Sequence, residues 1–199
     1  MQRIVLASSN HGKLAEFNAL LADSRFEVVP QAELGVEDIE ETGLTFVENA
    51  LLKARHASRV TGLPALADDS GLCVAHLRGA PGLYSARYSG AHGDTAANHA
   101  RLLRELKGVP PAQRGAFFMC MLALLWHAED PAPLIAEGRW HGRILEEPRG
   151  THGFGYDPLF LPHEQLLSAA ELEPAVKNRL SHRAQAMAQL HARIAELHA

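Results

Sequence analysis

Asp68 and Asp69 stand side by side at the end of an apolar approach, Pro64 to Ala67, and are followed by Ser70, Gly71 and a second apolar run. The stretch reads as a buried strand, a sharp break and a second extended segment. Adjacent carboxylates repel each other, and a hard, oxygen-seeking cation such as Mg²⁺ is the usual use for their charge at a strand end. Asp, Ser and Gly are also good turn residues, so a capped turn explains the same residues equally well.

Three other groups of residues carry chemistry. Ser8-Ser9-Asn10-His11-Gly12-Lys13 follows an apolar strand, Ile4 to Ala7, and precedes Leu14, Phe17 and Leu20/Leu21 at helical spacing. Backbone N–H groups at such a strand–turn–helix junction favour anions. Lys13 in the first helical turn opposes the helix dipole, which a phosphate ligand would explain; the plain alternative is an N-cap by Asn10. Glu41 lies in a loop before a helix that carries Asn49 and Lys53 one turn apart on a single face. A surface lysine and a carboxylate complementing the helix dipole are the bland readings there. In the glycine-rich loop Gly150 to Pro158, Phe154 and Tyr156 could stack a flat ring or simply pack into the core. Lys177, Ser181, His182 and Arg183 precede or open a C-terminal helix, and the basic residues again run against the dipole preference.

The elements that must position these groups are marked by local signals. Thr45 and Glu48 make a capping box, so a helix begins there and runs to about Thr61, stopped by Gly62 and Pro64, with Val47, Leu51, Ala54 and Ser58 as its buried stripe. Leu72 to Leu77 continues as a strand and Gly79 to Gly82 turns the chain. Asp94 caps a helix to Leu106, with Ala97, Leu103 and Leu106 inward. Ala116 to Trp126 is apolar on both faces and reads as a central strand covered on both sides, with Pro133 to Ile144 as its antiparallel neighbour. Ser181 caps the last helix, whose stripe is Met187, Leu190, Ile194 and Leu197, leaving His191 and His198 solvated.

A length of 199 residues suits one domain, with room for two lobes, and 47% hydrophobic with 21% charged residues is ordinary for a globular chain. The net charge of -4 argues against a nucleic-acid polymer or membrane surface as partner, but not against a small anion met by a local basic pocket. Cys73 and Cys120 sit in apolar runs and read as buried free thiols of a reducing compartment. With no signal peptide and no bilayer-length apolar stretch, a cytoplasmic location is expected. Composition marks no domain boundary.

Taken together, the motifs resemble one family, the inosine triphosphate pyrophosphatases, also called Ham1-like. The resemblance rests on Ser8 to Lys13, Glu41-Thr42-Gly43-Leu44-Thr45-Phe46-Val47-Glu48-Asn49-Ala50, and Leu66 to Leu72. It continues through Gly79 to Gly82 with Ser85 to Tyr88, Gly153 to Pro158, and Ser181-His182-Arg183. These six stretches occur in the family's order across essentially the whole chain, so residues 1–199 are expected to form a single domain of this type. Three departures stand out. Ser8-Ser9 replaces the family's threonine followed by glycine or threonine, His152 stands where glycine is common, and Ala175-Val176 replace acidic residues.

The resemblance implies an α/β fold: an elongated mixed β-sheet flanked by helices, two lobes with a central cleft, and a homodimer. It implies Mg²⁺-dependent hydrolysis of the purine nucleoside triphosphates ITP, dITP and XTP to the monophosphate and pyrophosphate. Ser8, Ser9, Asn10, His11, Gly12, Lys13 and Lys53 would then bind the triphosphate. Asp69 would hold metal and act as general base, with Glu41 and Asp68 assisting at the metal. Ser70, Phe154, Gly155, Tyr156, Asp157, Lys177, His182 and Arg183 would bind the nucleotide, chiefly its base. Two rivals are a pyrophosphatase for pyrimidine or methylated nucleotides, which needs a different base pocket, and a non-catalytic nucleotide-binding regulator. The presence of Glu41, Asp68 and Asp69 together argues against the regulator.

Overall fold

The apolar runs near the N-terminus and through the middle of the chain become strands of one sheet. In a computed structural model, which describes residues 2–21 and 26–196, six strands line up in the order β2-β1-β3-β4-β5-β6. They are β1 (Gln2–Ala7), β2 (Phe26–Pro30), β3 (Ala65–Val74), β4 (Gly115–Leu125), β5 (Leu134–Ile144) and β6 (Phe160–Pro162). β1 runs parallel to β2 and β3, whereas β5 and β6 are antiparallel, so the sheet is mixed. The helices are α1 (His11–Leu21), α2 (Phe46–Thr61), α3 (Thr95–Glu105), α4 (Pro174–Leu180) and α5 (His182–Glu196). None of the helices among the described residues is long and apolar enough to cross a membrane.

The chain divides into two compact units made of interleaved segments. The first is Met1–Asp69, Cys120–Gly138 and Arg183–Ala199; the second is Ser70–Met119 and Arg139–His182. In the first unit, alternate residues of each strand enter different clusters, as the two-residue period of a strand requires. Ile4, Leu6, Leu66, Cys120, Leu122 and Leu124 pack with Phe17 and Leu21 of α1 and Met187, Leu190 and Ile194 of α5. Val5, Ala7, Ala65, Ala67, Ala123 and Leu125 pack with Ala50, Ala54 and Ala57 of α2. The expected two-sided burial of β4 is therefore met in this unit. Its α2 side is lined by small residues; Val47 and Leu51, expected inward, are only half-buried. The core of the second unit gathers Leu72, Leu102, Leu106, Phe118, Trp140, Ile144 and Phe160.

Local signals fix the helix ends. Thr45 Oγ1 accepts the Glu48 N–H, and the Glu48 carboxylate accepts from Thr45 Oγ1 and Leu44 N, completing the box; Gly62 closes the helix in the left-handed region. Asp94 Oδ1 accepts the Ala97 N–H at the start of α3. Leu102 and Leu106 face inward there, while Ala97 and Leu103 are half-buried. The last helix buries Met187, Leu190 and Ile194 and leaves His191 exposed; Leu197 and His198 lie outside the described residues. Both cysteines are free thiols, Cys120 buried and Cys73 half-buried.

Two expectations about β3 are corrected: the strand read from Leu72 to Leu77 ends at Val74, where Ala75–Leu77 winds into a 3-10 turn. No break follows the aspartate pair: β3 runs unbroken for 10 residues through Asp68-Asp69-Ser70-Gly71. Gly71 is there for space rather than for a turn. A Cβ on it would lie 2.3 Å from Gly82 O and 2.7 Å from Ser85 Oγ. Ser85 Oγ in turn donates to Gly82 O and accepts the Leu72 N–H, which locks the Gly82–Arg87 turn against the strand.

Candidate functional site

In the first unit, strand pleating sends the two aspartates to opposite faces. Asp68 shares parity with Leu66 and lies on the α1/α5 side; Asp69 shares parity with Ala67 and lies on the α2 side. Both are buried, at 1% and 6% exposed. Lys13 Nζ reaches Asp68 Oδ2 at 2.9 Å, and Arg183 lies between Glu16 Oε2 at 2.5 Å and Asp68 Oδ2 at 3.9 Å. Across the strand, Lys53 Nζ bonds Glu41 Oε1 at 2.6 Å and Asp69 Oδ1 at 3.3 Å, while Asn49 Nδ2 donates to Asp69 Oδ2 at 3.1 Å. The shared face read for Asn49 and Lys53 is thus the face turned to Asp69.

The loop before α1 is held by its own side chains. Asn10 Oδ1 accepts the Lys13 N–H, the capping reading, and Ser8 Oγ accepts the Asn10 N–H. Ser9 Oγ donates to Asp38 and accepts from Gln31 Nε2. His11 and Gly12 stand on the first turn, His11 exposed like Asn10 before it and Gly12 half-buried. Glu16, Gln31 and Asp38 were not singled out from sequence. Glu16 carries a signal that could have found it, since it stands three residues after Lys13 on the same helix face.

The arrangement drives the two aspartates apart electrostatically. Burial pushes the Asp68 carboxyl up, but the charges of Lys13, Arg183 and Lys53 overcome it and hold the group down to about 2. Burial also pushes Asp69 up; Lys53 opposes it, but the neighbouring Glu41 and Asp68 charges add to it, and the net direction is upward. Lys53 is disfavoured as a cation by burial, yet Asp69, Asp68 and Glu41 reverse that and raise it. The two sides of the Lys53–Asp69 contact differ because Lys53 faces three anions whereas Asp69 faces anions as well as cations.

Among the described residues no three His, Cys, Asp or Glu side chains converge as a ready metal cage. The donor set nevertheless fits Mg²⁺, which takes one or two carboxylates plus phosphate oxygens and water rather than a complete protein cage. Glu41 and Asp69 are brought together by one lysine and supply such hard oxygen donors.

The second unit holds the aromatic loop. Asp157 Oδ2 accepts the Phe154 N–H at 2.9 Å and pairs with Lys177 Nζ at 2.6 Å, both partners buried; Lys177 Nζ stands 5.0 Å from the Phe154 ring centroid. Gly155 O accepts from His99 Nε2 at 2.8 Å. Tyr156 does not offer a stacking face. It is 4% exposed within the core, its ring lies against His99 and its hydroxyl donates to Ser85 O. Phe154, half-buried, is the ring the loop can present. His182 is buried and stacks on Phe118 at 4.9 Å, and Ser70 is half-buried on β3. His182 and Arg183, read together from sequence, therefore belong to different units.

An α/β sheet that gathers carboxylates and lysines around one strand is the equipment of a hydrolase acting on phosphoanhydrides. Comparison with known proteins agrees. The chain belongs to the Ham1 family, whose sequence profile matches residues 4–193. It is 61% identical over 190 residues to a dITP/XTP pyrophosphatase of Xanthomonas campestris pv. campestris, covering 96% of each chain. It is 60% identical over 197 residues to a dITP/XTP pyrophosphatase of Ralstonia nicotianae, covering 98% of this chain and 97% of the relative. The solved structure of a HAM1 protein from Coxiella burnetii superposes with a TM-score of 0.91 at 52% identity, covering 98% of this chain and 100% of that one.

Proposed function

We propose that the chain is an Mg²⁺-dependent nucleoside triphosphate pyrophosphatase that hydrolyses the non-standard purine nucleotides ITP, dITP and XTP to the monophosphate and pyrophosphate. The observation that carries this reading is Lys53 bonded to both Glu41 and Asp69, with Lys13 on Asp68 behind the same strand. The relatives are named for two of these substrates, dITP and XTP, which supports the reading.

In this reading Lys13 and Lys53, with the loop Ser8 to Gly12, bind the triphosphate as cations and N–H donors. Asp69 accepts the proton of the attacking water, and its raised pKa suits a base better than an ordinary aspartate would. Glu41 and Asp69 would hold Mg²⁺, which when bound neutralises charge on the phosphates. Asp68, engaged by Lys13, keeps that cation in place instead of joining the metal. Phe154 stacks the base; Ser70, the backbone of Gly155 to Asp157, Lys177, His182 and Arg183 complete the nucleoside contacts. The 6-keto oxygen of hypoxanthine and xanthine accepts from these donors, where adenine's 6-amino group would leave them unpaired. The reading also includes a homodimer working in the cytoplasm on free nucleotides and so clearing them before incorporation into DNA and RNA. Sedimentation velocity checks the dimer.

Pyrophosphate release from ITP, dITP, XTP, GTP and ATP, each with and without Mg²⁺, tests the proposal. ITP and XTP should exceed ATP by at least roughly 10²-fold in kcat/KM, and activity should vanish without the cation. Values for ITP and ATP within a few-fold of each other would sink the keto-reading pocket.

A further inference from the structure

Asn49 is 2% exposed on the inward face of α2. Its carboxamide is engaged by the chain at both ends: Oδ1 accepts the Gly43 N–H at 2.8 Å and Nδ2 donates to Asp69 Oδ2 at 3.1 Å. The partners fix which end is which, since only the oxygen can accept from a backbone N–H and only the nitrogen can donate to a carboxylate. One turn further along α2, Lys53 Nζ bonds Asp69 Oδ1 and Glu41 Oε1. The helix thus reaches both oxygens of Asp69, and ties the Glu41–Gly43 stretch to the same carboxylate twice. Gly43 is built for this contact, because a Cβ there would lie 2.6 Å from Asn49 Oδ1.

A carboxylate held through one oxygen can still turn about its Cβ–Cγ bond; held through both, its plane is set. We propose that Asn49 is a positioning residue of the hydrolytic site, fixing the plane of the Asp69 carboxylate and the register of the Glu41 loop against it. The inference rests on the reading of Asp69 as the group that accepts the proton from water. Asn49 touches no substrate in this role, so it acts on turnover and not on nucleotide affinity. Losing an outer partner of a catalytic or metal-bound carboxylate lowers activity by about 10–100-fold.

Two variants separate positioning from a mere clip between helix and loop. Asn49→Asp keeps an oxygen for the Gly43 N–H but replaces the donor facing Asp69 with a second anion. Asn49→Leu keeps the volume and removes both bonds. Each is assayed with ITP at a temperature where circular dichroism shows it folded, and its affinity for a non-hydrolysable α,β-imido analogue of ITP is measured by calorimetry. Both variants should lose about 10–100-fold in kcat with analogue affinity changed by less than about 3-fold, and Asn49→Asp should lose at least as much as Asn49→Leu. Near-wild-type turnover in Asn49→Asp with loss only in Asn49→Leu would make the residue a clip. Analogue affinity falling in step with kcat would make it a ligand contact. Either result overturns the proposal. Asp69→Asn serves as the reference: if that variant turns over like the wild type, the reading of Asp69 fails, and Asn49 falls with it.

Discussion

Neighbouring aspartates with opposite pKa shifts are two groups given different work by their surroundings. Asp68 is held anionic by cations, while Asp69 is lifted toward the pH at which a base both accepts and releases protons. Asp69→Asn, nearly isosteric, should fold and lose roughly 10²–10⁴ in kcat, measured as pyrophosphate release. Since kcat/KM reports groups of the free enzyme, its acid limb should be displaced upward from that of an ordinary aspartate. Lys53→Ala should move that limb further upward, because the largest charge favouring the Asp69 anion is gone. A limb that stays put or moves down would contradict the pairing. Lys13→Ala and Lys53→Ala should each weaken ITP far more than inosine monophosphate, read by titration with both ligands. The residues themselves were legible from their types and order. Their pairings were not, because Arg183 and Glu16 meet across 167 positions and ion pairs at that separation leave no spacing to read.

At the scale of elements, β3 shows where turn chemistry misleads. Asp-Ser-Gly favours a turn locally, yet sheet pairing keeps the strand straight and uses the glycine to admit the Gly82–Arg87 turn. Gly71→Ala should therefore destabilise by about 1–3 kcal/mol or more through overpacking, visible as a lower urea midpoint. The bend between β4 and β5 offers a second test. Asp130 Oδ2 accepts the Trp126 N–H and Oδ1 the Ala132 N–H. Burial acts to raise the Asp130 carboxyl, but these two bonds prevail and its pKa is lowered. A carboxyl with a folded pKa below its unfolded value adds stability that is present above about pH 4 and is lost as pH falls through the folded pKa. The gap in melting temperature between wild type and Asp130→Asn should be widest near neutrality and close in acid; a constant gap would remove the charge from the account. α2, α3 and α5 were readable because caps are local signals. β2, β6 and α4 were missed, being 5, 3 and 7 residues long, too short for periodicity to register.

For the whole molecule, composition draws no border between the two units, because each is assembled from separate segments. Lys13, Lys53, Asp69 and Glu41 belong to the first unit, Phe154, Asp157 and Lys177 to the second. If Phe154 stacks the base, Phe154→Ala should weaken ITP and inosine monophosphate equally, unlike the lysine variants. Calorimetric titration of both ligands decides it.

Synthesis from the N-terminus meets this interleaving in an awkward order. The unit begun first is completed last: the other has all its segments once His182 has emerged, whereas the first still waits for α5. Until then the Ile4, Leu6, Leu66 and Leu122 side of its strands lacks the Met187, Leu190 and Ile194 cover, and Asp68 lacks Arg183. A nascent chain stalled at that point displays a bare apolar sheet face beside a buried anion short of one of its cations, the kind of surface on which chaperones act.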